Sequence, residues 1–343
     1  MQRFPAWVVR RSDDDARSRS ASLETVDADV LDELAASGSG GDDPDTAVRV
    51  DYSSINYKDA LALTGVPGVV RRVPLIAGID LTGVVLSTSD PRWCPGDLVT
   101  LNGAGHGESL HGGLAGRAHV DGSRLVRVPA AMTTRHAAAI GTAGFTAALA
   151  VRQIEHHGIT PASGPVLVTG AAGGLGSLAV SLLARAGYEV TASTGRVATQ
   201  SGFLRDLGAS TVMDRSELSA PGKALQAQRW AAVVDAVGGP TLVNAVAQLR
   251  SGGIAAACGN AQSAEFAGSV FPFILRGVTV TGINSVEATR TEREEAWRRL
   301  ERDIDLSTLD GMTSVVPLSA AREVAERVLS GGVRGRTVIE TGG

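Results

Sequence analysis

The sequence predicts an α/β fold in which a small β-rich region precedes a doubly wound parallel sheet. From residue 166 onward, short apolar strand segments alternate with helical segments, in the order VLVTG, EVTAS, TVM, AAVVDAV, GGIAAACG and GVTVTGI. Such alternation is typical of a parallel sheet with helices on both faces. Before about residue 129, short strands are separated by turns, which favours a small barrel-like domain. The length of 343 residues fits two domains.

The first domain is expected at residues 1–129 and the second at 130–305, which opens on a helix of small residues at 133–152. The tail at 306–343 is expected to return and complete the first domain. Within the first domain, residues 4–10 read as a strand and 11–22 as a polar hairpin tip. A Ser/Gly/Asp-rich loop is expected at 35–46.

Composition excludes several function classes. The net charge is −4 without a long basic run, so a nucleic-acid partner is not expected. The two cysteines lie far apart, which argues against a disulfide framework and a four-cysteine zinc site. We find no stretch long and apolar enough to cross a bilayer and no apolar signal core. A cytoplasmic enzyme acting on a small molecule is the simplest interpretation.

A glycine turn at 170–176 predicts a dinucleotide site. It follows the strand VLVTG and precedes the helical run SLAVSLLARAG, with the pattern Ala171-x-Gly173-x-x-Gly176. A pyrophosphate must approach the backbone closely there, and the helix N-terminus offers unpaired N–H groups. A merely structural strand-to-helix turn is the alternative.

The end of the second strand of this sheet favours NADPH over NADH. An NAD site places Asp or Glu there for the ribose 2′-hydroxyl, whereas this chain reads Ser193-Thr194-Gly195-Arg196. Hydroxyls and a guanidinium hold a 2′-phosphate that a carboxylate would repel. Arg215, after the third strand, either reaches the same phosphate or is a solvated loop residue.

Several longer motifs make the chain resemble one family. They are SSINYKDALALTG, PLIAGIDLTGVV, IGTAGFTAALAV, VTGAAGGLGSLAV, DAVGG, AACGNA, FPFILRGVTVTGINSV and GRTVIE, spread over about residues 47–340. They closely resemble the acrylyl-CoA reductase branch of the medium-chain dehydrogenase/reductases, which is close to the quinone oxidoreductases. The chain departs from this branch in its first 46 residues and at Asn260, where the family often has leucine.

The resemblance implies a GroES-like catalytic domain, a Rossmann domain, a homodimer and NADPH-dependent reduction of an enoyl-CoA such as acrylyl-CoA. By family position, the pyrophosphate contacts fall on Ala172, Gly173, Gly174 and Leu175. The 2′-phosphate contacts fall on Thr194, Gly195 and Arg196, with Arg215 nearby. The nicotinamide half is lined by Tyr57, Asn260, Ile274 and Ser285.

No metal is expected. Where zinc relatives carry their first ligand, this chain reads Asn56-Tyr57-Lys58-Asp59, and Gly78-Ile79-Asp80 replaces their Gly-His-Glu segment. A catalytic zinc needs three protein ligands and an open position. His106, Glu108 and His111 lie in a later Gly-rich loop without a cysteine partner, so we predict a zinc-free reaction.

Conjugate reduction of an activated C=C bond fits such a site. It needs a donor for the thioester oxygen and a proton source for the α-carbon. Tyr57, Asn56 and Asp59 are the candidates, although Asp59 could equally cap the helix that begins beside it. Water could also supply the proton.

Two other functions stay open at this point. One is a quinone or general enone oxidoreductase, and the other is a non-catalytic NADPH-binding protein. A CoA substrate needs cations for its phosphates, for which Arg71 and Arg72 are candidates. The strand GVTVTGI is expected at the sheet edge, where residues 278–283 would pair across a two-fold axis into a twelve-stranded sheet.

Overall fold

A computed structural model describes residues 3–12, 18–29 and 44–342. These residues form two compact units, the first from the described parts of 1–142, 285–295 and 309–343, the second from 143–284 and 296–308. The predicted boundaries at 129/130 and 305/306 differ, because the predicted opening helix crosses from one unit to the other. Most of the expected 35–46 loop, and part of the 11–22 tip, lie outside the described residues.

A three-stranded sheet lies at the start of the first unit. Strand β1 (Arg3–Arg11) pairs antiparallel with β2 (Arg19–Asp27) and with β4 (Leu75–Ile76). Arg11 pairs with Arg19, so the second strand begins inside the predicted tip. The prediction of a polar tip reaching residue 22 was therefore wrong, because Ala21 and Val26 of β2 are buried on opposite faces of the strand and hold it in the sheet.

The larger sheet of the first unit has seven strands. Its order is β15-β16-β3-β5-β6-β8, with β7 also paired to β3. The strands are β3 (Thr46–Ser54), β5 (Asp80–Thr88), β6 (Leu98–Asn102), β7 (Arg117–Val120), β8 (Val126–Arg127), β15 (Thr313–Pro317) and β16 (Arg336–Glu340). Because β16 pairs antiparallel with β3, the C-terminal tail completes the first unit, as the sequence predicts.

The helices of the first unit cover this sheet. They are α1 (Tyr57–Leu63) and α10 (Ala321–Leu329), with short 3₁₀ turns at Gly122–Arg124 and Leu318–Ala320. Both α-helices contribute to one buried apolar cluster, in which Leu63 and Val324 are members together with Leu75 of β4. This burial holds α1 in place through its inward-facing residues.

The second unit is built on the predicted six-stranded parallel sheet. Its order is β11-β10-β9-β12-β13-β14, so the strand that contains 279–282 does lie at the edge. The strands are β9 (Val166–Val168), β10 (Val190–Thr194), β11 (Thr211–Asp214), β12 (Trp230–Asp235), β13 (Leu249–Ala257) and β14 (Thr279–Gly282). The predicted Rossmann architecture is confirmed.

The helices connect these strands. Those inside the second unit are α3 (Gly174–Arg185), α4 (Val197–Asp206), α5 (Ser216–Ser219), α6 (Gly239–Ala247) and α7 (Phe271–Arg276), with a 3₁₀ turn at Pro161–Ser163. Two helices run from one unit into the other, α2 (Thr134–His156) and α8 (Arg290–Asp303). Helix α9 (Leu306–Gly311) begins in the second unit and ends in the first.

Helix α2 corrects one expectation drawn from composition. Its length and mean hydropathy of 1.2 are sufficient to cross a membrane. However, 78% of its apolar window is buried within the protein, as in the core helix of a globular domain. The helix is also broken at Gly141, where φ is +50°.

Candidate active site and cofactor turn

The glycine turn of the second unit has the geometry of an anion site. Gly170, at φ +59°, follows β9 in the turn, and helix α3 begins at Gly174 with Gly173 as its N-cap. A Cβ at Gly176 would lie 2.3 Å from the carbonyl oxygen of Gly170, so only glycine lets the helix start so close to the strand. The backbone donors of the first turn therefore face the place of a phosphate.

The residues predicted for the pyrophosphate lie together on this turn. Ala172 is buried, whereas Gly173, Gly174 and Leu175 are half-buried. Ala171, which replaces the first glycine of the fingerprint, is fully buried, and its N–H donates to the carbonyl oxygen of Ser193 at 3.0 Å. Its φ is not positive, so alanine is tolerated at this point of the turn.

The end of β10 gathers the residues predicted for the 2′-phosphate. Thr194 is buried, Gly195 is exposed and Arg196 begins helix α4. The Arg215 side chain covers Gly195 so closely that a Cβ there would lie 2.5 Å from Arg215 Nε. Two guanidinium-bearing residues thus flank Gly195, and no carboxylate occurs in the segment 193–196.

In the first unit, the predicted catalytic residues lie on the first turn of α1. Asn56 is the N-cap residue and Tyr57 the first helical residue. The Asp59 carboxylate accepts a hydrogen bond from the Asn56 N–H at 2.8 Å, which is half of a capping box. Tyr57 is 39% exposed, whereas Asp59 is 1% exposed, so the turn directs one side chain outward and the other inward.

A buried carboxylate, Asp80 at the start of β5, organises this turn. It accepts hydrogen bonds of 2.7–2.9 Å from Ser54 Oγ, Asn56 Nδ2, Asn102 Nδ2 and both the N–H and hydroxyl of Thr142. The break at Gly141 frees the Thr142 N–H for this contact. A Cβ at Gly141 would lie 2.6 Å from Asp80 Oδ2, so the kinked helix requires glycine there.

Arg336, at the start of β16, supplies the positive charge of the cluster. Its guanidinium is 2% exposed and donates to Ser54 Oγ at 2.7 Å and to Asn56 Oδ1 at 3.1 Å. It also donates to the carbonyl oxygen of Ala139 at 2.7 Å. Burial lowers the pKa of Arg336, and the negative charges of Asp80 and Asp59 oppose that shift.

The Asn56 side chain takes part in this hydrogen-bond network. Its Nδ2 donates to Asp80 and, at 3.1 Å, to Asp59, while its Oδ1 accepts from Arg336. The amide has two N–H donors and one carbonyl oxygen, and all of them are engaged inside the turn. These bonds favour a positioning role for Asn56, and the expectation that its amide orients the substrate stays a prediction.

Asp59 has the capping role that the sequence left open. Its second oxygen accepts from the Ile79 N–H at 2.8 Å, so both oxygens bond main-chain groups. Burial and the negative charge of Asp80 raise the pKa of Asp59 to about 7. A carboxyl group enclosed in this way orders the turn. Tyr57 is the most exposed of the three residues, since Asn56 is half-buried and Asp59 is buried.

The residues of the first unit do not fit a zinc ion. His106 Nδ1 bonds the carbonyl oxygen of His111 at 2.5 Å, and His111 Nδ1 accepts from the Ile76 N–H. Glu108 pairs with Lys58 at 2.6 Å, and Asp80 is surrounded by donors. Burial lowers the pKa of both histidines to about 4. Among the described residues, no three His, Cys, Asp or Glu side chains form a metal-binding group.

The remaining predicted cofactor residues belong to different elements of the chain. Asn260 is exposed in the loop after β13, and Ile274, on α7, is 68% exposed. Both belong to the second unit. Ser285 belongs to the first unit and is 9% exposed. Their shared role at the nicotinamide stays a prediction.

Sequence reasoning missed most of the Asp80 cluster. The sequence patterns identify Asp80 only as part of the segment that replaces Gly-His-Glu of the zinc relatives, and Arg336 only as part of the motif GRTVIE. Ser54, Asn102 and Thr142 were not singled out, since they are separated by up to 282 positions from Arg336. A signal was present, because buried strands that contain charged residues require a partner charge elsewhere in the chain.

Comparison with known families gives two matches. Residues 42–151 match the alcohol dehydrogenase GroES-like domain, and residues 174–302 match the zinc-binding dehydrogenase family. The second name refers to the family as a whole, since the matched segment corresponds to the Rossmann sheet and its helices. Each match lies mostly in one of the two units, and together the matches cover the units in part.

Three individual proteins are closely similar. The acrylyl-CoA reductase AcuI of Ruegeria pomeroyi is 44% identical over 340 residues, covering 98% of this chain and 99% of its own. The yhdH oxidoreductase of Salmonella enterica, solved in complex with NADP, superimposes with a TM-score of 0.91 at 40% identity, covering 98% and 99%. Bacillus subtilis yhfP, solved with NAD bound, gives 0.90 at 36%, covering 99% and 100%.

Likeness of this extent over nearly the whole chain agrees with the motifs, the two units and the glycine turn. It also confirms the resemblance on which the sequence analysis relied. The chain belongs to the acrylyl-CoA reductase family, a quinone oxidoreductase-like branch of the medium-chain dehydrogenase/reductases.

Proposed function

We propose that this protein reduces the activated C=C bond of a short enoyl-CoA with NADPH, acrylyl-CoA to propanoyl-CoA being the preferred reaction. The observation that carries the proposal is the outward-facing Tyr57 on a turn fixed by buried charges. The likeness to the Ruegeria pomeroyi enzyme supports the substrate class. An enoyl thioester suits this turn because the reaction needs a hydrogen-bond donor rather than a Lewis acid.

NADPH is the proposed cofactor rather than NADH. Arg196 and Arg215 flank the end of β10, where a carboxylate would select NADH. The Salmonella enterica neighbour binds NADP, although the Bacillus subtilis neighbour was solved with NAD. We favour NADPH because its 2′-phosphate, which NADH lacks, would give the guanidinium groups of Arg196 and Arg215 a charged partner.

The chain's own residues then divide the chemistry. The first turn of α3 holds the pyrophosphate, and the end of β10 holds the 2′-phosphate. When bound, NADPH supplies the hydride for the substrate β-carbon. As the electron pair of the C=C bond moves toward the thioester oxygen, the Tyr57 hydroxyl donates a hydrogen bond to that oxygen. Water or Tyr57 delivers the proton to the α-carbon. Asn56 and Asp59 keep the turn in place.

We propose that this reaction needs no metal. The candidate ligands are committed to hydrogen bonds and ion pairs within the first unit, as described above. Purified enzyme treated with a strong chelator should therefore keep its full turnover. Zinc at near-stoichiometric amounts, lost together with activity, would contradict this proposal.

A cationic patch beside Tyr57 is the proposed site for the phosphates of CoA. Lys58 and Arg71 both approach the buried carboxylate of Glu108, at 2.6 and 3.8 Å. One carboxylate facing two cations leaves a net positive charge near the surface. Arg71 is also tied to this loop through its N–H, which donates to the Glu108 carbonyl oxygen at 2.8 Å.

Arg71→Met tests this patch. The KM for a CoA thioester should rise several-fold, while the KM for the corresponding N-acetylcysteamine thioester, which lacks the phosphates, should not change. Arg3→Met is a matched control, because Arg3 is equally exposed in the same unit. Equal effects of Arg71→Met on both thioesters would contradict the assignment.

We also propose a cytoplasmic homodimer formed through the edge strand β14, near residues 278–283. Among the described residues, no strand pairs with the outer edge of β14. Exposed apolar side chains precede this strand in sequence, at Val270, Phe271, Ile274 and Leu275. Pairing of two such edges would give twelve strands. A monomeric mass by light scattering at micromolar concentration would contradict the dimer.

The direct test of the proposed function is NADPH oxidation against a panel of enoyl-CoAs, enones and quinones. The proposal predicts the highest kcat/KM with acrylyl-CoA. Higher kcat/KM with a simple quinone would favour the general oxidoreductase. Tight NADPH binding without turnover on any member would favour a non-catalytic role.

A further inference from the structure

Arg293, on helix α8, is a buried cation that the proposed mechanism does not use. It is 2% exposed, and it is among the largest fully buried side chains of the described residues. Burial, together with the positive charge of Arg124, lowers the pKa of Arg293 to about 10. Burying a guanidinium opposes folding unless its N–H donors are hydrogen-bonded. The hydrogen-bond partners of Arg293 therefore indicate its role.

The guanidinium binds the main chain of the segment that contains Ser285. Nη2 donates to the carbonyl oxygens of Ser285 and Val286 at 3.3 and 3.1 Å, and Nε donates to that of Ala288 at 3.1 Å. Three bonds from one rigid planar group fix the path of residues 285–288.

The same guanidinium reaches the end of β6. Nη1 donates to the carbonyl oxygen of Asn102 at 2.7 Å, and the Asn102 side chain donates to Asp80 at 2.8 Å. The two segments are also in close contact, since a Cβ at Gly103 would lie 3.4 Å from the Cα of Val286. A continuous path of hydrogen bonds therefore runs from Arg293 through Asn102 to the carboxylate that holds Asn56.

We propose that Arg293 is a positioning residue for hydride transfer, which sets Ser285 and, through Asn102 and Asp80, the turn that carries Tyr57. The inference rests on the proposed function, because that function assigns Ser285 to the nicotinamide and Tyr57 to the substrate. The inference gives Arg293 a role although its side chain would contact neither NADPH nor the substrate. Its loss should impair turnover far more than cofactor affinity, since the phosphates are held by other residues.

The test compares Arg293→Met and Arg293→Lys with two controls on the same helix. Arg299→Met removes another buried guanidinium, one that pairs with Glu155 at 2.5 Å and belongs to the second unit. Arg290→Met removes an exposed arginine paired with Glu294. Each variant is assayed below its Tm for kcat with acrylyl-CoA, for the Kd of NADPH, and for the fluorescence of bound NADPH, which reports on the nicotinamide surroundings.

Arg293→Met should lower kcat at least tenfold, leave the Kd of NADPH within threefold and reduce the fluorescence enhancement of bound NADPH. Arg293→Lys, which keeps the charge without the planar fork, should fall in between. Arg299→Met should lower Tm with kcat within twofold of wild type, and Arg290→Met should change neither. If Arg293→Met does not fold, the kcat and Kd of Arg293→Lys decide the question.

The proposal is overturned if both Arg293 variants keep kcat and NADPH fluorescence within twofold of wild type, or if Arg299→Met loses kcat to the same degree. A wild-type enzyme that oxidises no NADPH with any enoyl-CoA contradicts the proposed function instead. In that event, the fluorescence of bound NADPH alone decides the role of Arg293, because it needs no substrate.

Discussion

The polar groups of the Asp80 cluster and those of the glycine turn are used in opposite ways. In the first unit, Asp80, Asn56 and Arg336 satisfy one another, so the charges are buried and closed to ligands. In the second unit, the turn at 170–176 carries small residues, and its helix N-terminus offers backbone donors without side-chain caps. The Asp80 cluster uses its polar side chains to fix the surrounding backbone, whereas the glycine turn leaves backbone N–H donors available to bind an anion.

This difference bears on the proposed catalytic residue, Tyr57, which is exposed on a backbone that buried hydrogen bonds hold in place. Tyr57 follows the N-cap of a helix whose first turn is locked to β5, β16 and the break in α2. The hydroxyl reaches outward while the backbone beneath it is held by buried ion and amide contacts. The cofactor turn needs no such support, because its strand, tight turn and helix are consecutive in sequence.

The largest expected effect comes from removing the charge at the centre of the closed cluster. Asp80→Asn leaves the buried guanidinium of Arg336 without its nearest negative partner and presents an amide to donors that need an acceptor. Breaking a buried charge pair costs about 3–5 kcal/mol of unfolding free energy. Urea denaturation followed by circular dichroism measures this loss.

A surface carboxylate provides the control for that variant. Asp310 pairs with Arg135 at 2.7 Å with both side chains exposed, so Asp310→Asn should cost less than about 1 kcal/mol. A loss below about 1 kcal/mol for Asp80→Asn itself would mean that the cluster does not hold the turn. The double variant Asp80→Asn/Arg336→Met should recover part of the loss, because the guanidinium that Asp80→Asn deprives of this carboxylate is then absent as well.

A substitution in the glycine turn at 170–176 should impair cofactor binding, unlike a substitution in the Asp80 cluster, which should lower stability. A Cβ at Gly176 would meet the Gly170 carbonyl oxygen at 2.3 Å and the Ala171 Cα at 2.6 Å, both backbone atoms that cannot swing aside. Gly176→Ala should therefore displace the helix start and raise the Kd of NADPH at least tenfold by fluorescence titration.

Gly202→Ala is the matched control for that substitution. Gly202 lies inside α4 with no atom within 4 Å of its Cβ position, so alanine should stabilise the helix by up to about 1 kcal/mol and leave NADPH binding unchanged. Unchanged affinity in Gly176→Ala would show that the turn tolerates a side chain and does not approach a phosphate closely.

A smaller effect should appear in the pH dependence of stability. The pKa of Asp59 lies near 7 in the folded protein, above its ordinary value of 3.8. The folded state therefore binds more protons than the unfolded state between these values, and the contribution of Asp59 to stability falls as pH rises from about 4 to about 7. Relative to Asp59→Asn, the wild type should lose unfolding free energy across this range.

Denaturation of both proteins at several pH values measures this difference. A difference between wild type and Asp59→Asn that stays constant from pH ~4 to ~7, or that grows with pH, would contradict the raised pKa. Asp310→Asn, at an exposed ion pair of the same unit, is measured beside them as the control for an Asp-to-Asn substitution as such.

The two regions also differ in how far the sequence alone could predict them. The glycine turn, the six strands and the edge position of β14 follow from local patterns: glycine spacing, apolar runs and helix alternation. The return of the tail to the first domain was predicted because SVVPLS and GRTVIE resemble neither of the two domains clearly, whereas its pairing with β3 was not predicted.

The Asp80 cluster could not be predicted in the same way. Its members come from β3, β5, β6, α2 and β16, so their contacts depend on strand register and on the helix break at Gly141. Sequence reasoning identified the α1 turn but not the bonds of the Asn56 amide, because nothing local indicates that Arg336 donates to its carbonyl oxygen. The domain boundary also shifted, since α2 runs through it without a linker.

One steady-state experiment tests most directly whether the two regions divide cofactor binding and turnover between them. It compares Arg196→Ala and Tyr57→Phe with both NADPH and NADH. Arg196→Ala should raise the KM for NADPH about tenfold or more, as expected for a lost charge-assisted hydrogen bond, and leave kcat and the KM for NADH nearly unchanged. Tyr57→Phe should lower kcat and leave the KM for NADPH nearly unchanged. Equal effects of Arg196→Ala on both cofactors, or unchanged turnover in Tyr57→Phe, would contradict this division.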